Sequence, residues 1–217
     1  MEGTESDSAA GDYYELLDEA KELRKAGNSE GALQIYDEVS EELASATDSE
    51  HRVLAAFALY RKVRELERLG RFDEMLSAIS LLLGRYEGAP ERDIRLYVAR
   101  SFLLRGHRLY RRRKIRSALR EIEAAWLRSF DSDDSDFRET AAVALVFKRQ
   151  AMYRLFRFRA AWKAGAQLFD YVGPDPDPRV LNGVLEAQRN QELFLRLLRT
   201  WHNAGTTSRR STHGPLD

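Results

Sequence analysis

Apolar residues along this chain recur at intervals of three and four, and apolar/polar alternation persists nowhere, the pattern of amphipathic helices without strands. The pattern also repeats on a larger scale. With Ala32 as an anchor, the equivalent small or slim residue falls on Met75, Ala118 and Ala161, each 43 residues after the last without insertion or deletion. The register carries other apolar sets with it: Leu33, Leu76, Leu119 and Trp162 one position on, and Val39, Leu82, Ala125 and Leu168 seven on. Before the anchor lie Leu23, Leu66, Leu109 and Met152, and seven residues earlier Leu16, Leu59, Phe102 and Leu145. A spacing of seven is two turns of one helix face, so each unit reads as two amphipathic helices. Gly27 and Gly70, as in "LGRFDEML" from Leu69, supply the bend between them, and Phe72, Ile115 and Phe158 form an apolar plug beside it.

The same pattern sets the boundaries. A polar, acidic lead-in over residues 1–11 reads as disordered, and four units are expected at about 12–47, 48–88, 90–130 and 134–172. "GPDPDP" from Gly173 closes the fourth unit, a helix over 178–202 is expected to cap the array, and 203–217 reads as a disordered tail. Together 12–202 make one repeat domain.

Composition narrows the function classes. At 43% hydrophobic and 32% charged, the chain suits a soluble domain, and its longest apolar runs, from Val53 and Ala141, fall far short of the roughly 20 residues of a bilayer-spanning helix. The N-terminus lacks the basic and then apolar order of a secretory signal. Zero cysteines exclude disulfides, thiol nucleophiles and thiolate metal sites, and fit a reducing, cytoplasmic location. The net charge of zero hides a polarity: Met1–Glu50 holds 15 acidic and 3 basic residues, whereas Arg95–Arg128 holds 11 basic and 2 acidic.

With a bulky then a small residue in the first helix, and a small then an aromatic residue in the second, the unit resembles the tetratricopeptide repeat. The bulky position is Leu16, Leu59, Phe102 and Leu145; the small one Ala20, Val63, Gly106 and Arg149. In the second helix they are the Ala32 series and then Tyr36, Ile79, Ile122 and Gly165. The resemblance covers about Asp12 to Val172 and implies an all-α, right-handed α-solenoid of four hairpins plus the capping helix. It departs in three ways. The first-helix aromatic is replaced by Leu23, Leu66, Leu109 and Met152; the period of 43 exceeds the family's usual 34 or so, which predicts longer helices; and Ala44, Glu87 and Phe130 stand where a closing proline is usual. Arg149 at a close-packing position and Phe156 at a turn-glycine position leave the fourth pair open to splaying.

In that family the first helices line a concave groove. The register then places Tyr14, Lys21, Phe57, Tyr60, Arg61, Arg64, Arg68, Arg100, His107, Tyr110, Arg111, Phe147, Tyr153 and Arg154 there, with Asp18 and Lys25 beside them. Guanidinium groups fork onto carboxylates and aromatic rings offer apolar pockets, so the expected ligand is an acidic peptide or protein segment. The competing reading makes these arginines a solvated face paired within their own helices to residues such as Glu65 and Glu67. The asparagines of a chaperone-tail clamp are missing, since its positions hold Leu17, Lys21, Arg61, Arg100 and Leu104.

Two alternatives use the run "RRRKIR" from Arg111. It could contact phosphates, although neutral net charge and the acidic first unit disfavour nucleic acid. It could also meet the acidic end of a second copy, giving a homo-oligomer or a regulatory subunit docked by charge polarity. "DSDDSD" from Asp131 reads as an acidic loop and helix cap, lacking the glycine and terminal glutamate of a calcium loop. His51, His107, His202 and His213 show no metal-ligand spacing, and no glycine loop cradles a phosphate, so a non-enzymatic scaffold or adaptor without cofactor or metal is expected.

Overall fold

A computed structural model describes residues 4–173 and 177–188, with side chains from Gly11 onward, and every element within them is helical. The helices are α1 (Thr4–Lys25), α2 (Ser29–Glu42), α3 (Ser49–Leu69), α4 (Phe72–Tyr86), α5 (Arg92–Arg111), α6 (Ile115–Leu127), α7 (Ser135–Arg154) and α8 (Phe158–Val172), followed by α9 over 178–188. Consecutive helices pack as hairpins: α1 with α2, α3 with α4, α5 with α6 and α7 with α8. The chain divides into two compact units, one up to Ser132 and one from Asp133. The first helices of the four hairpins run 20 to 22 residues and the second helices 13 to 15. At the start, α1 begins at Thr4. The expected cap begins on schedule; its remainder, 189–202, and the tail lie outside the described residues.

Each hairpin is closed by one device repeated in register. Residues 27, 70, 113 and 156 take the left-handed conformation, with φ of 83°, 73°, 60° and 56°. The next residue's amide reaches back over the turn, Asn28 to Leu23, Arg71 to Leu66, Lys114 to Leu109 and Arg157 to Met152, at 2.9 to 3.0 Å. This satisfies carbonyls that the helix end would orphan. Glycine adopts such φ freely at 27 and 70, whereas Arg113 and Phe156 pay a steric cost of about 1 kcal/mol. Three helix starts have a polar cap: Asn28, Asp48 and Asp134 accept from the amides of Gly31, His51 and Asp136 at 2.9 to 3.1 Å, the last at the cap read in "DSDDSD".

In the first unit the three hairpins stack so that α3 touches α1 and α5 while α2 and α4 each touch the following first helix. The anchor series is buried, with Ala32, Met75 and Ala118 here, and Ala161 in the second unit, no more than 1% exposed. Leu59, Val63, Leu66, Ile79, Leu82 and Ile122 fill the layers between. Ion pairs about one repeat apart then tie hairpin to hairpin, Arg71 Nη1 to Glu30 at 2.7 Å, Arg52 Nε to Glu91 at 2.8 Å and Arg112 Nη2 to Asp73 at 2.7 Å, and Lys62 of α3 joins Asp37 of α2 across 25 residues. Surface pairs of this kind contribute at most about 1 kcal/mol each, so they fix register more than they stabilise.

In the second unit the fourth hairpin stays closed in spite of Arg149. A Cβ at Gly106 would stand 2.9 Å from Ile122 Cγ1, so α5 and α6 meet glycine against isoleucine. At the equivalent positions of α7 and α8 the sizes are exchanged, and a Cβ at Gly165 would stand 3.3 Å from Arg149 Cδ. The α8 glycine makes room for the arginine stem, and the pair does not splay. α9 lies on α7, with Gly183 against Glu139 and Val143 and Gln150 Nε2 donating to the Ala187 carbonyl at 3.1 Å.

Denaturant unfolding should read these contacts. Gly106→Ala is expected to lower stability by about 1–2 kcal/mol through overpacking, whereas Gly84→Ala, on the open side of α4 with nothing within 4 Å, raises it by up to ~1 kcal/mol. Arg113→Gly relieves the left-handed strain and is expected to stabilise by about 0.5–1 kcal/mol; a loss there would contradict the turn geometry.

Candidate functional site

The first helices of the first unit present the chemistry that the register promised, though not all of it is available to a ligand. Tyr60, near the middle of α3, stacks on Tyr97 of α5 with centroids 5.1 Å apart and 14° between planes. Phe57 tilts against the same ring at 5.9 Å, and the Arg61 guanidinium sits 5.7 Å from the Phe57 centroid. Residues 57, 60, 61 and 64 fall on one side of α3 because they are three and four apart. Burial pushes the Tyr97 phenol up to about 12, so it stays neutral and serves as packing surface. Tyr97 was not among the expected site residues, because the register equates it with Leu54, which is 3% exposed. Its spacing of three to Arg100 and seven to Leu104 was the signal that could have found it.

Beside this aromatic group lies a cleft of about 350 Å³ lined by Arg24 of α1 and by Arg61, Arg64, Glu65, Glu67 and Arg68 of α3. Four arginines against two glutamates leave it positive. The acids are already used. Glu65 is 2% exposed, and hydrogen bonds from Arg68 Nε and Nη2, at 3.1 and 2.5 Å, hold its carboxyl below the usual range, with help from Ser29 and the charge of Arg24. Arg68 also donates to Ser29 at the head of α2, which makes it a structural brace. Arg64 approaches Glu67 at 3.7 Å. Two of the expected groove arginines therefore follow the competing, within-helix reading. Arg24 does not: its Nε is buried and finds no acceptor among the described residues. A buried donor without a partner at the edge of a basic cleft is suited to an incoming carboxylate.

The remaining expected residues are scattered. The exposed Tyr14 donates to Glu50 Oε1 at 3.3 Å, and Lys21 pairs with Asp18 at 3.0 Å, so neither joins the cleft lining. Arg100 stands close enough to the Tyr97 phenol to influence it. Tyr110 is half-buried near the end of α5 and Arg111 is exposed at its last position. Phe147, Tyr153 and Arg154 lie on α7 in the second unit, where Tyr153 meets Phe158 at 6.2 Å. His107 is buried enough that desolvation, reinforced by Arg111 and Arg108, lowers its imidazole to about 4.

Much of the basic stretch is spoken for within the first unit. Arg105 pairs with Glu121 at 2.6 Å, Arg128 with Glu87, and Arg112 with Asp73, while the Arg108 guanidinium covers the Phe72 ring at 3.2 Å. Phe72 is thus the expected plug, capped by a cation. No helix among the described residues is long and apolar enough to cross a membrane. No protein-family model matches the chain, and no curated protein matches it.

The His107 environment predicts a pH dependence. Its folded value lies below the unfolded 6.5, so below about pH 6.5 the unfolded chain takes up a proton that the folded chain refuses. Stability is expected to fall between pH 6.5 and 4, by at most about 3 kcal/mol from this group, and to level off below. Urea titrations across that range should give a shallower slope for His107→Gln; an unchanged slope would place the acid sensitivity elsewhere.

Proposed function

We propose that the protein is a non-catalytic, cytoplasmic interaction scaffold of tetratricopeptide-like repeats, and that the first unit binds an acidic protein segment on its α1, α3 and α5 face. One observation carries the reading: Arg24 and Arg61 line a basic cleft beside the Phe57, Tyr60 and Tyr97 rings, with the Arg24 Nε buried and without an acceptor among the described residues. A carboxylate set between these arginines gains charge-assisted hydrogen bonds, and an aromatic or aliphatic neighbour packs on the rings. In this reading Arg61 does both, forking toward the carboxylate while its plane rests near Phe57. The pairing of Arg105, Arg112 and Arg128 within the first unit withdraws three cations from a phosphate track or a socket for a second copy, while Arg111, Arg113, Lys114 and Arg116 stay exposed to either.

Affinity capture with the full chain is the test. A partner held by wild type is expected to be lost by Arg24→Glu/Arg61→Glu and to weaken about tenfold or more between 0.05 and 0.5 M salt. Arg68→Ala is expected to lower stability while sparing that partner, because Arg68 serves Glu65. Equal capture by wild type and the reversed variant would falsify the groove reading, and a nuclease-sensitive partner would return the basic stretch to nucleic acid.

A further inference from the structure

The fourth hairpin carries a surface that the groove does not involve. On α8 one apolar arc is split in two. Its buried half, Ala161, Ala164 and Leu168, is no more than 6% exposed. Its other half, Phe158, Trp162 and Phe169, spaced four and seven apart on one face, is 59%, 76% and 76% exposed. Phe156 extends the stripe into the turn, 79% exposed at φ of 56°, with its ring edge-on to Phe158 at 6.3 Å, and Tyr153 adds a fifth ring. Five aromatics along one edge exceed the scattered apolar exposure normal for a protein surface.

The repeat register shows what this face is for. Trp162 and Phe169 correspond to Leu33 and Ser40 in α2, Leu76 and Leu83 in α4, and Leu119 and Trp126 in α6. Leu33, Ser40, Leu83 and Trp126 are 1% to 8% exposed, and Leu76 and Leu119 are half-buried. In α2 the Ser40 carbonyl accepts from Arg85 of α4 at 3.0 Å, so the Ser40 end of this face reaches the next second helix, while α2 and α4 otherwise pack on the first helix that follows each. After α8 the chain supplies α9, which lies on α7 in the manner of a first helix. Among the described residues no helix closes the second-helix face of α8.

We propose that α8 is the docking site for an acidic amphipathic helix of a partner protein, which takes the place of a fifth second helix. Its apolar stripe lies on Phe158, Trp162 and Phe169, and its carboxylates face Arg157, Arg159 and Lys163, against which α8 sets only Asp170. The charge decides between occupants. The chain's own 189–202 carries Arg189, Arg196 and Arg199 against Glu192, the same sign as the rim. A second copy's acidic α1 already commits Leu17 and Ala20 to its own core. Phe156 fits the same assignment: a phenylalanine held left-handed and exposed, where two other hairpins use glycine, is strain without burial until something covers it.

The test uses the full chain and two fluorescein-labelled synthetic helices of about 18 residues, identical in their leucine stripe, one flanked by glutamates and one by lysines. Anisotropy should show the glutamate helix bound at least about tenfold more tightly than its lysine twin. Trp162→Ser/Phe169→Ser should weaken it about tenfold or more, whereas Arg61→Glu/Arg64→Glu leaves it unchanged, which separates this face from the groove. Both residues of the double variant are about three-quarters exposed, so an unchanged melting temperature is expected as its control. The proposal is overturned if neither helix binds, if the double variant binds as well as wild type, or if the lysine twin is equal. Much tighter binding by a chain ending at Gln188 would assign the face to the chain's own C-terminal residues. Wild-type dimers absent from the double variant would assign it to a second copy.

Discussion

Everything in this fold hangs on reversing a helix within two or three residues, once per repeat. A left-handed residue at 27, 70, 113 and 156, followed each time by an amide reaching back to residues 23, 66, 109 and 152, turns the chain and satisfies the helix end at once. With that reversal fixed, the anchor positions must approach closely, and so they hold alanine or the slim Met75. With the anchors in place, polar residues one repeat apart come within reach, which is why Arg71 meets Glu30 and Arg112 meets Asp73. The strict period follows from this chain of dependence: an insertion in any hairpin would break its turn, its layer and its ion pairs together.

The repeat and its helices were legible because period and amphipathic spacing are local properties of sequence. The turns at Gly27 and Gly70 were legible for the same reason, while Arg113 and Phe156 were not, since their side chains disfavour the conformation that the flanking helices impose. Arg149 looked like a defect until Gly165 proved to be its complement, an exchange visible only when two positions 16 residues apart are known to touch. Part of the basic face was legible in Phe57, Tyr60, Arg61 and Arg64. What the pattern could not say was which arginines are already engaged. That depends on Glu65, an acid among Val63 and Leu66 whose burial obliges Arg68 to stay with it. Tyr97 was hidden by the opposite effect, a core register position that carries a ring large enough to reach the face.

Arginine therefore has three distinct uses within one unit. At Arg68 it neutralises a buried acid, and at Arg71 and Arg112 it ties hairpins together across exposed surface. At Arg24 it lines a cleft with a donor that meets no acceptor among the described residues. Burial separates the first and third uses from the second, because solvent screens the ties but not Glu65 or the Arg24 Nε. A charge count along the sequence treats all of them alike, and for that reason the polarity between Met1–Glu50 and Arg95–Arg128 says less about partners than it first suggests.

The last hairpin shows what a repeat fold leaves undone when it stops. Burying a large apolar side chain is worth about 1.5–3 kcal/mol, so Phe158, Trp162 and Phe169 in water forgo roughly 5 kcal/mol or more. That is comparable with the whole stability of a small domain. The earlier hairpins recover the equivalent term, because Leu33 and Leu83 are closed over. Polar residues at 162 and 169 would leave the buried half of the arc, Ala161, Ala164 and Leu168, untouched and the hairpin as stable. The aromatic residues are therefore not required by the hairpin that carries them. Their free energy is realised only when a further helix arrives, so occupancy of this face and stability of the fourth hairpin are thermodynamically linked.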